Sequence, residues 1–277
     1  MMYLNDILRE RLVEFFNNSR KLSILTGAGL SSDSGIPTFR DTDGFWTVGS
    51  VNYMPEEMGT YKMFKEKPLD VWKWFLYRHT ICSKASPNAG HFAIRELETI
   101  FSDRFRLITQ NVDGLHFKAD TSRDRTFLIH GTLEKARCGN ECSSTLYPFP
   151  EFVFNKGDEL TVEQIEKLKC TKCGNYLRPH VLWFDEYYNE KHFKLDSSMR
   201  LAKETGLLLI VGTSGATTLP QRIVERVLSR QGTIIDINLN ENYFSELLKK
   251  KQRGYALKGK SSDILPEFVQ FFKGLMH

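Results

Sequence analysis

Gly27-Ala-Gly-Leu-Ser-Ser-Asp-Ser-Gly-Ile-Pro-Thr-Phe-Arg40 begins where the apolar run Leu22 to Thr26 stops. A buried strand that runs into small residues and then a helix start leaves backbone N–H groups free at the end of a sheet, where a phosphate can sit. Gly27 and Gly29 allow close backbone approach, and Gly35-Ile-Pro37 ends any short helix and turns the chain outward. The dinucleotide fingerprint of dehydrogenases wants a third glycine where Ser32 stands, and no acidic residue closes a second strand about 20 residues on. The stretch therefore reads as a dinucleotide loop of another kind, or as a tight turn without a ligand.

Later segments repeat the arrangement. Phe105 to Thr109 leads into Gln110-Asn-Val-Asp-Gly-Leu-His116, Thr126 to Ile129 into His130-Gly131, Leu207 to Val211 into Gly212-Thr-Ser214, and Thr233 to Ile237 into Asn238. Each apolar run ends in small or hydrogen-bonding residues, and in an open parallel sheet those ends meet along one edge, where ligands bind. His130 is thereby set at the sheet edge, where a neutral imidazole can take a proton near pH 7. Asp113 and Asn111 open at the same edge, suited to sugar hydroxyls or an amide; loop capping is the alternative for all three.

The chain has 277 residues and a net charge of +4. That length fits one large domain with a smaller insert, or two domains. Lysines and arginines are scattered except at Lys249-Lys-Lys251 with Arg253, so a nucleic-acid partner is not implied. The first residues lack the apolar core of a signal peptide, and no run approaches the roughly 20 apolar residues that span a bilayer, so a cytoplasmic protein without a membrane partner is expected. Of five cysteines, four form two knuckles, Cys138-x3-Cys142 and Cys170-x2-Cys173. In a reducing compartment that pattern suits a four-thiolate zinc ion, structural because no coordination position is left open.

Residues 4 to 18 carry Leu4, Ile7, Leu8, Leu12, Phe15 and Phe16 at helical spacing, expected to cover one face of the sheet. Residues 56 to 82 are dense in aromatics without strand alternation and read as two helices broken near Pro68. They form either a small self-packed module or, in part, an acyl-sized pocket beside the nucleotide. Arg78, three residues after Phe75, shares its helical face and puts a cation at the mouth of such a pocket.

Taken together, G-A-G-L-S-S-D-S-G-I-P-T-F-R at 27–40, T-Q-N-V-D-G-L-H at 109–116, H-G at 130–131, the cysteine pairs, R-P-H-V-L-W-F at 178–184, G-T-S at 212–214, I-N at 237–238 and G-K-S-S-D-I-L-P at 259–266 resemble the sirtuin family of NAD-dependent protein lysine deacylases. The resemblance implies an α/β fold. A doubly wound, Rossmann-like NAD domain (1–44, 88–134 and 179–277) carries a smaller domain made of a helical insert (45–87) and a zinc module (135–178). It implies NAD contacts from Gly27, Ala28, Gly29, Ser31, Gly212, Thr213 and Ser214 along phosphates and ribose, from Asn238 and Ser261 at the adenosine end, and from Gln110 and Asn111 at the other ribose. Phe39 and Arg40 would close over the nicotinamide end, where Asp113 reads the carboxamide, and Trp46 would be a further cofactor contact. His130, with Asn111 and Asp113, would do the chemistry: the acyl oxygen attacks the ribose carbon as nicotinamide leaves, His130 deprotonates a ribose hydroxyl, and the products are nicotinamide, free lysine and O-acyl-ADP-ribose.

Acyl-lysine proteins or peptides are the implied partners of a monomeric enzyme, held by Val181, Trp183 and Phe184, with Phe75 and Arg78 at the acyl group. Members that remove succinyl or malonyl carry Tyr-x-x-Arg where Phe75-Leu-Tyr-Arg78 stands, so succinyl-lysine is expected to be accepted but not strongly preferred to acetyl-lysine. Gly59 is expected to leave room for a longer acyl chain, Asp185 to favour basic peptides, and Gly215 to loosen the peptide groove. An NAD glycohydrolase, a mono-ADP-ribosyltransferase or a non-catalytic NAD sensor are the rival readings of the same loops.

Overall fold

In the computed structural model residues 3–37, 46–48 and 51–276 are described, with backbone only for 46–48, 51 and 52. Six parallel strands lie in the order Gly254–Lys258, Thr233–Asn238, Thr205–Val211, Lys21–Thr26, Phe105–Thr109, Thr126–Leu128. The first strand in sequence thus sits at the centre, and the chain winds outward from it in both directions. That reversal of winding opens a crevice above the carboxyl ends of the two central strands.

Alternation along the strands builds the two apolar layers. Leu22, Ile24, Leu107, Leu207, Leu209, Ile235 and Ile237 point to one face, against the helices Asp6–Phe16, Ala89–Phe101 and Ser261–Gly274. Leu25, Ile108, Leu208, Ile210 and Ile234 point to the other, against Leu195–Glu204, Thr218–Ser229 and Tyr243–Leu248. Both faces being covered explains why these strands read as unbroken apolar runs. In the first helix Leu8, Leu12 and Phe15 face inward, whereas Ile7 is 64% exposed, one position off the buried stripe, contrary to its expected inward place.

A third cluster lies apart from these layers. It joins Val71, Trp72, Trp74, Phe75 and Leu76 of the helix Pro68–Lys84 to Phe149, Phe154, Leu168 and Leu177 of the segment around a three-stranded antiparallel sheet. In that sheet Gly131–Cys138 is central, flanked by Leu146–Pro148 and Leu177–Val181. Trp72 pins helix to sheet by donating its indole N–H to the Leu177 carbonyl at 2.6 Å. Pro68 opens the long helix as its first residue, where the missing N–H costs nothing. Two shorter helices, Pro55–Met58 and Tyr61–Glu66, precede it, so the break near Pro68 is as expected but the segment holds one helix more than the two expected.

Candidate active site

Hydrogen bonding between neighbouring strands continues past their ends and ties the loops together. Gly27 N–H donates to Val211 O, Gly29 N–H to Gly212 O, Gln110 N–H to Thr26 O and Ile129 N–H to Thr109 O, all at 2.8–3.1 Å. A β-carbon on Gly27 would lie 2.6 Å from that of Thr213, and Gly212 has φ +62° with the Leu30 backbone nitrogen 2.3 Å from where a β-carbon would be. These glycines let two loops of the protein approach each other, and the shared backbone edge faces the crevice. Thr213 then accepts from the Gln110 side-chain amide at 2.8 Å, and Thr217 donates to its oxygen at 3.1 Å. Ser214 lies half-buried in the same loop. Ala28 directly precedes the short helix Gly29–Ser32. Further along the edge Asn238 donates to buried Asp236 at 2.6 Å, and Ser261 begins the last helix.

Three of the expected residues form one string. Asn111 Nδ2 donates to Ser31 Oγ at 3.2 Å, Ser31 Oγ donates to Asp113 Oδ2 at 2.8 Å, and the Leu115 N–H donates to Asp113 Oδ1 at 2.9 Å. Burial raises the Asp113 carboxyl above its ordinary range, while those two donors pull it back. Beneath the string lies a second one that sequence reading did not single out. His116 Nε2 meets Thr26 Oγ1 at 3.1 Å, Thr26 donates to Thr109 Oγ1 at 2.8 Å, and Thr109 Oγ1 accepts the backbone N–H of Asn111 at 3.0 Å. Since the Thr26 proton goes to Thr109, His116 must donate, which sets its Nε2–H tautomer. The only signal for it was the position of His116 at the end of the Gln110 segment.

His130 stands one residue beyond Ile129, fixed on both sides by backbone. Its carbonyl accepts from Leu182 N–H at 2.9 Å, and Gly131 after it has φ +81° with the His180 carbonyl where a β-carbon would be. Burial holds the imidazole down at about 4, opposed by a hydrogen bond to the Gln110 carbonyl, so the ring is neutral at pH 7. The ring Nε2 lies 2.7 Å from the hydroxyl of Tyr188, another residue that sequence reading missed.

Cys138, Cys142, Cys170 and Cys173 bring their Sγ atoms within 4.8 Å of one another. The pairs Cys138–Cys173 and Cys142–Cys170 are 3.5 and 3.6 Å apart. Zn–S bonds of about 2.3 Å in a tetrahedron put sulfurs roughly 3.8 Å apart, so these thiols fit one zinc ion in a closed site.

The residues expected to hold substrate are less uniform. Val181 and Trp183 are buried; the Trp183 ring is covered by the Arg178 guanidinium 3.4 Å above it and by Phe64 and Phe75, while Phe184 is 56% exposed. The N–H groups of Leu182, Trp183 and Phe184 already donate to His130 O, Glu186 Oε2 and Gly59 O. A peptide laid along this segment therefore meets no free N–H at those three positions. Phe75 packs into the third cluster, and Arg78 lies half-buried near Trp74 and within the field of Asp113.

Three sequence expectations need revision. Asp185 accepts from the N–H groups of Tyr61 and Lys62 at 2.7 and 3.0 Å, so its charge caps a helix instead of facing a basic peptide. The space over Gly59 is filled by the Phe184 ring, 3.1 Å from where a β-carbon would be. Gly215 has φ +74° and is packed against Tyr243 and Phe244, so it answers to backbone conformation and not to a looser groove. Phe39, Arg40 and the side chain of Trp46 lie outside the described residues.

Comparison with known proteins gives a consistent picture. Residues 27–218 match the model of the Sir2 family. An NAD-dependent protein deacylase of Leptospira interrogans serogroup Icterohaemorrhagiae serovar Lai (strain 56601) is 35% identical over 270 residues, covering 95% of this chain and 97% of the relative. NAD-dependent protein deacylase 1 of Archaeoglobus fulgidus is 34% identical over 265 residues, covering 94% and 96%. Among solved structures, a Sir2 homologue in complex with NAD superposes with a TM-score of 0.80 at 33% identity over 97% of this chain and 95% of that one. A Sir2-homologue mutant in complex with 2'-O-acetyl ADP-ribose gives 0.78 at 33% identity over 96% and 97%.

Proposed function

Because this chain belongs to the Sir2 family, we propose that it removes acyl groups from protein lysines at the expense of NAD, releasing nicotinamide and O-acyl-ADP-ribose. NAD supplies an electrophilic ribose carbon once its bond to nicotinamide weakens. The chain supplies the surroundings. The shared edge of Gly27, Ala28, Gly29, Ser31, Gly212, Thr213 and Ser214 takes the phosphates, with Asn238 and Ser261 at the adenosine end. Gln110, held by Thr213 and Thr217, and Asn111 take the ribose next to nicotinamide, and Asp113 accepts from the carboxamide. His130, with its hydrogen on Nδ1, accepts the proton of a ribose hydroxyl at Nε2. The neutral, half-buried imidazole at this sheet edge is the observation that carries the reading, since a mere NAD sensor needs no base there. Zinc, held by four thiolates, braces the antiparallel sheet and takes no part in the chemistry.

We divide the chain into a nucleotide lobe (1–44, 88–134 and 179–277), which holds the two sheet-covering clusters, and a small lobe (45–87 and 135–178), whose cluster also takes in Ile36, Leu115, Leu133, Val181 and Trp183 of the first. Acetyl-lysine is the substrate we assign, with succinyl- or malonyl-lysine accepted through Arg78. Among the described residues no helix is long and apolar enough to cross a membrane, and the reduced thiols suit the cytoplasm.

The deciding experiment incubates the protein with NAD and a panel of acetyl, succinyl and malonyl peptides and follows products by mass spectrometry. O-acyl-ADP-ribose in equal amount with nicotinamide, formed only when acyl peptide is present, is expected. Free ADP-ribose without peptide would instead mark an NAD glycohydrolase.

A further inference from the structure

The base of the proposed reaction already has a partner. Neutral imidazole with its hydrogen on Nδ1 has one in-plane lone pair left, on Nε2. The Tyr188 hydroxyl lies 2.7 Å from that nitrogen, a short separation for such a bond. Tyr188 is held there from behind. Its ring packs against the apolar layer that contains Ile129 and Leu201, and its hydroxyl also meets Thr217. Thr217 in turn donates to Gln110, so phenol, threonine and amide connect the base to the loop expected to hold the ribose.

One lone pair cannot serve two donors at once. We propose that Tyr188 is a cap on the base: in the free protein its O–H occupies His130 Nε2, and the ribose hydroxyl that the reaction deprotonates has to take that position from it. On arrival of the sugar the phenol turns its hydrogen to Thr217 Oγ1, and the ribose O–H takes its place at Nε2; no covalent bond is made or broken in the exchange. The cap also keeps bulk water from the basic nitrogen while the crevice is empty, which sets NAD binding in competition with an internal hydrogen bond. Tyr188 acts through His130 and is a positioning residue. The inference rests on the deacylase reading only for the identity of the sugar that displaces the cap.

Tyr188→Phe keeps the ring and its packing and removes only the hydroxyl. Two measurements on the full chain test the cap. The first is the rate at which diethyl pyrocarbonate modifies His130 without nucleotide, resolved by peptide mass spectrometry; it should rise severalfold in the variant, because the lone pair is released. The second is calorimetric affinity for NAD without peptide, which should tighten by about fivefold, the worth of one net hydrogen bond. An unchanged or slower modification rate, or NAD binding that is unchanged or weaker, overturns the proposal. Failure of the wild-type protein to bind NAD or turn over acyl peptides would sink the deacylase reading instead, whereas the modification rate depends on neither.

Discussion

Ser31 hands its hydroxyl hydrogen to Asp113 across 2.8 Å, joining the first strand's loop to the second's. Burial pushes the Asp113 carboxyl up, and hydrogen bonds from the Leu115 N–H and from Ser31, with the charges of Lys118 and Arg78, pull it back. Ser31→Ala removes that donor and also leaves the Asn111 amide without its acceptor. A hydrogen bond to a charged group is worth about 1.5–3 kcal/mol, so NAD affinity should fall by roughly tenfold or more. Calorimetry checks this; affinity within twofold of wild type would show that the string does not prepare the site.

His130 fixes the acid limb of the reaction. The base works only when neutral, and burial lowers it to about 4 from its ordinary 6.5. The rate constant kcat/KM, which reports the free enzyme, should therefore stay level from pH 7 down through 6.5 and fall only as pH nears 4 to 5. A pH profile with its acidic inflection at 6.5 or above would mean that the ring is not desolvated as the structure has it.

His91 and His116 predict how stability responds to acid. Both are buried, His91 at about 4 and His116 well below its ordinary value, and their rings lie 5.1 Å apart. A histidine whose folded pKa is depressed contributes stability above its unfolded pKa of about 6.5 and loses it as pH falls toward the folded value. For His91 this amounts to up to about 3 kcal/mol, so thermal melts should lose midpoint steeply between pH 6.5 and 4. His116→Leu should flatten part of that slope while costing about 1–3 kcal/mol at pH 7, because Thr26 loses its donor.

How much of this could be read from sequence depends on the range of the interaction. The parallel sheet and its edge were legible because unbroken apolar runs such as Leu207 to Val211 occur only where both faces are buried. The four cysteines were legible because metal ligation requires a local spacing. Tyr188 and Thr26 were not: each acts by a side-chain bond to a residue 58 and 90 positions away in the chain. Asp185 misled for the opposite reason, since nothing local reveals that its oxygens cap a helix whose first residue is Tyr61.

Arg78 is the residue on which acyl choice should turn. It is half-buried, with desolvation lowering its basicity and Asp113 partly restoring it, and it lies over the Trp74 ring at 5.7 Å. Phe75 beside it has no phenol, which removes one polar contact to an acyl carboxylate worth about 1 kcal/mol. Arg78→Met should lower the ratio of succinyl to acetyl kcat/KM by about tenfold or more, the worth of one charge-assisted hydrogen bond. An unchanged ratio would remove Arg78 from the acyl site.

Removing zinc tests whether the metal is structural. The four thiols close the end of the small sheet, and the strand Leu177–Val181 that follows them pairs with Gly131–Cys138, which begins one residue after His130. Loosening the thiols should thus reach the base through the Leu182 to His130 backbone bond. Chelation should release one zinc per chain by atomic absorption and lower the melting temperature by roughly 5 °C or more, since 2–3 kcal/mol shifts a chain of this size by that much. Activity should fall in step with the unfolded fraction and return when zinc is restored. Were activity lost with the melting temperature unmoved, the ion would belong to the chemistry, and the closed four-thiolate site would be the wrong description.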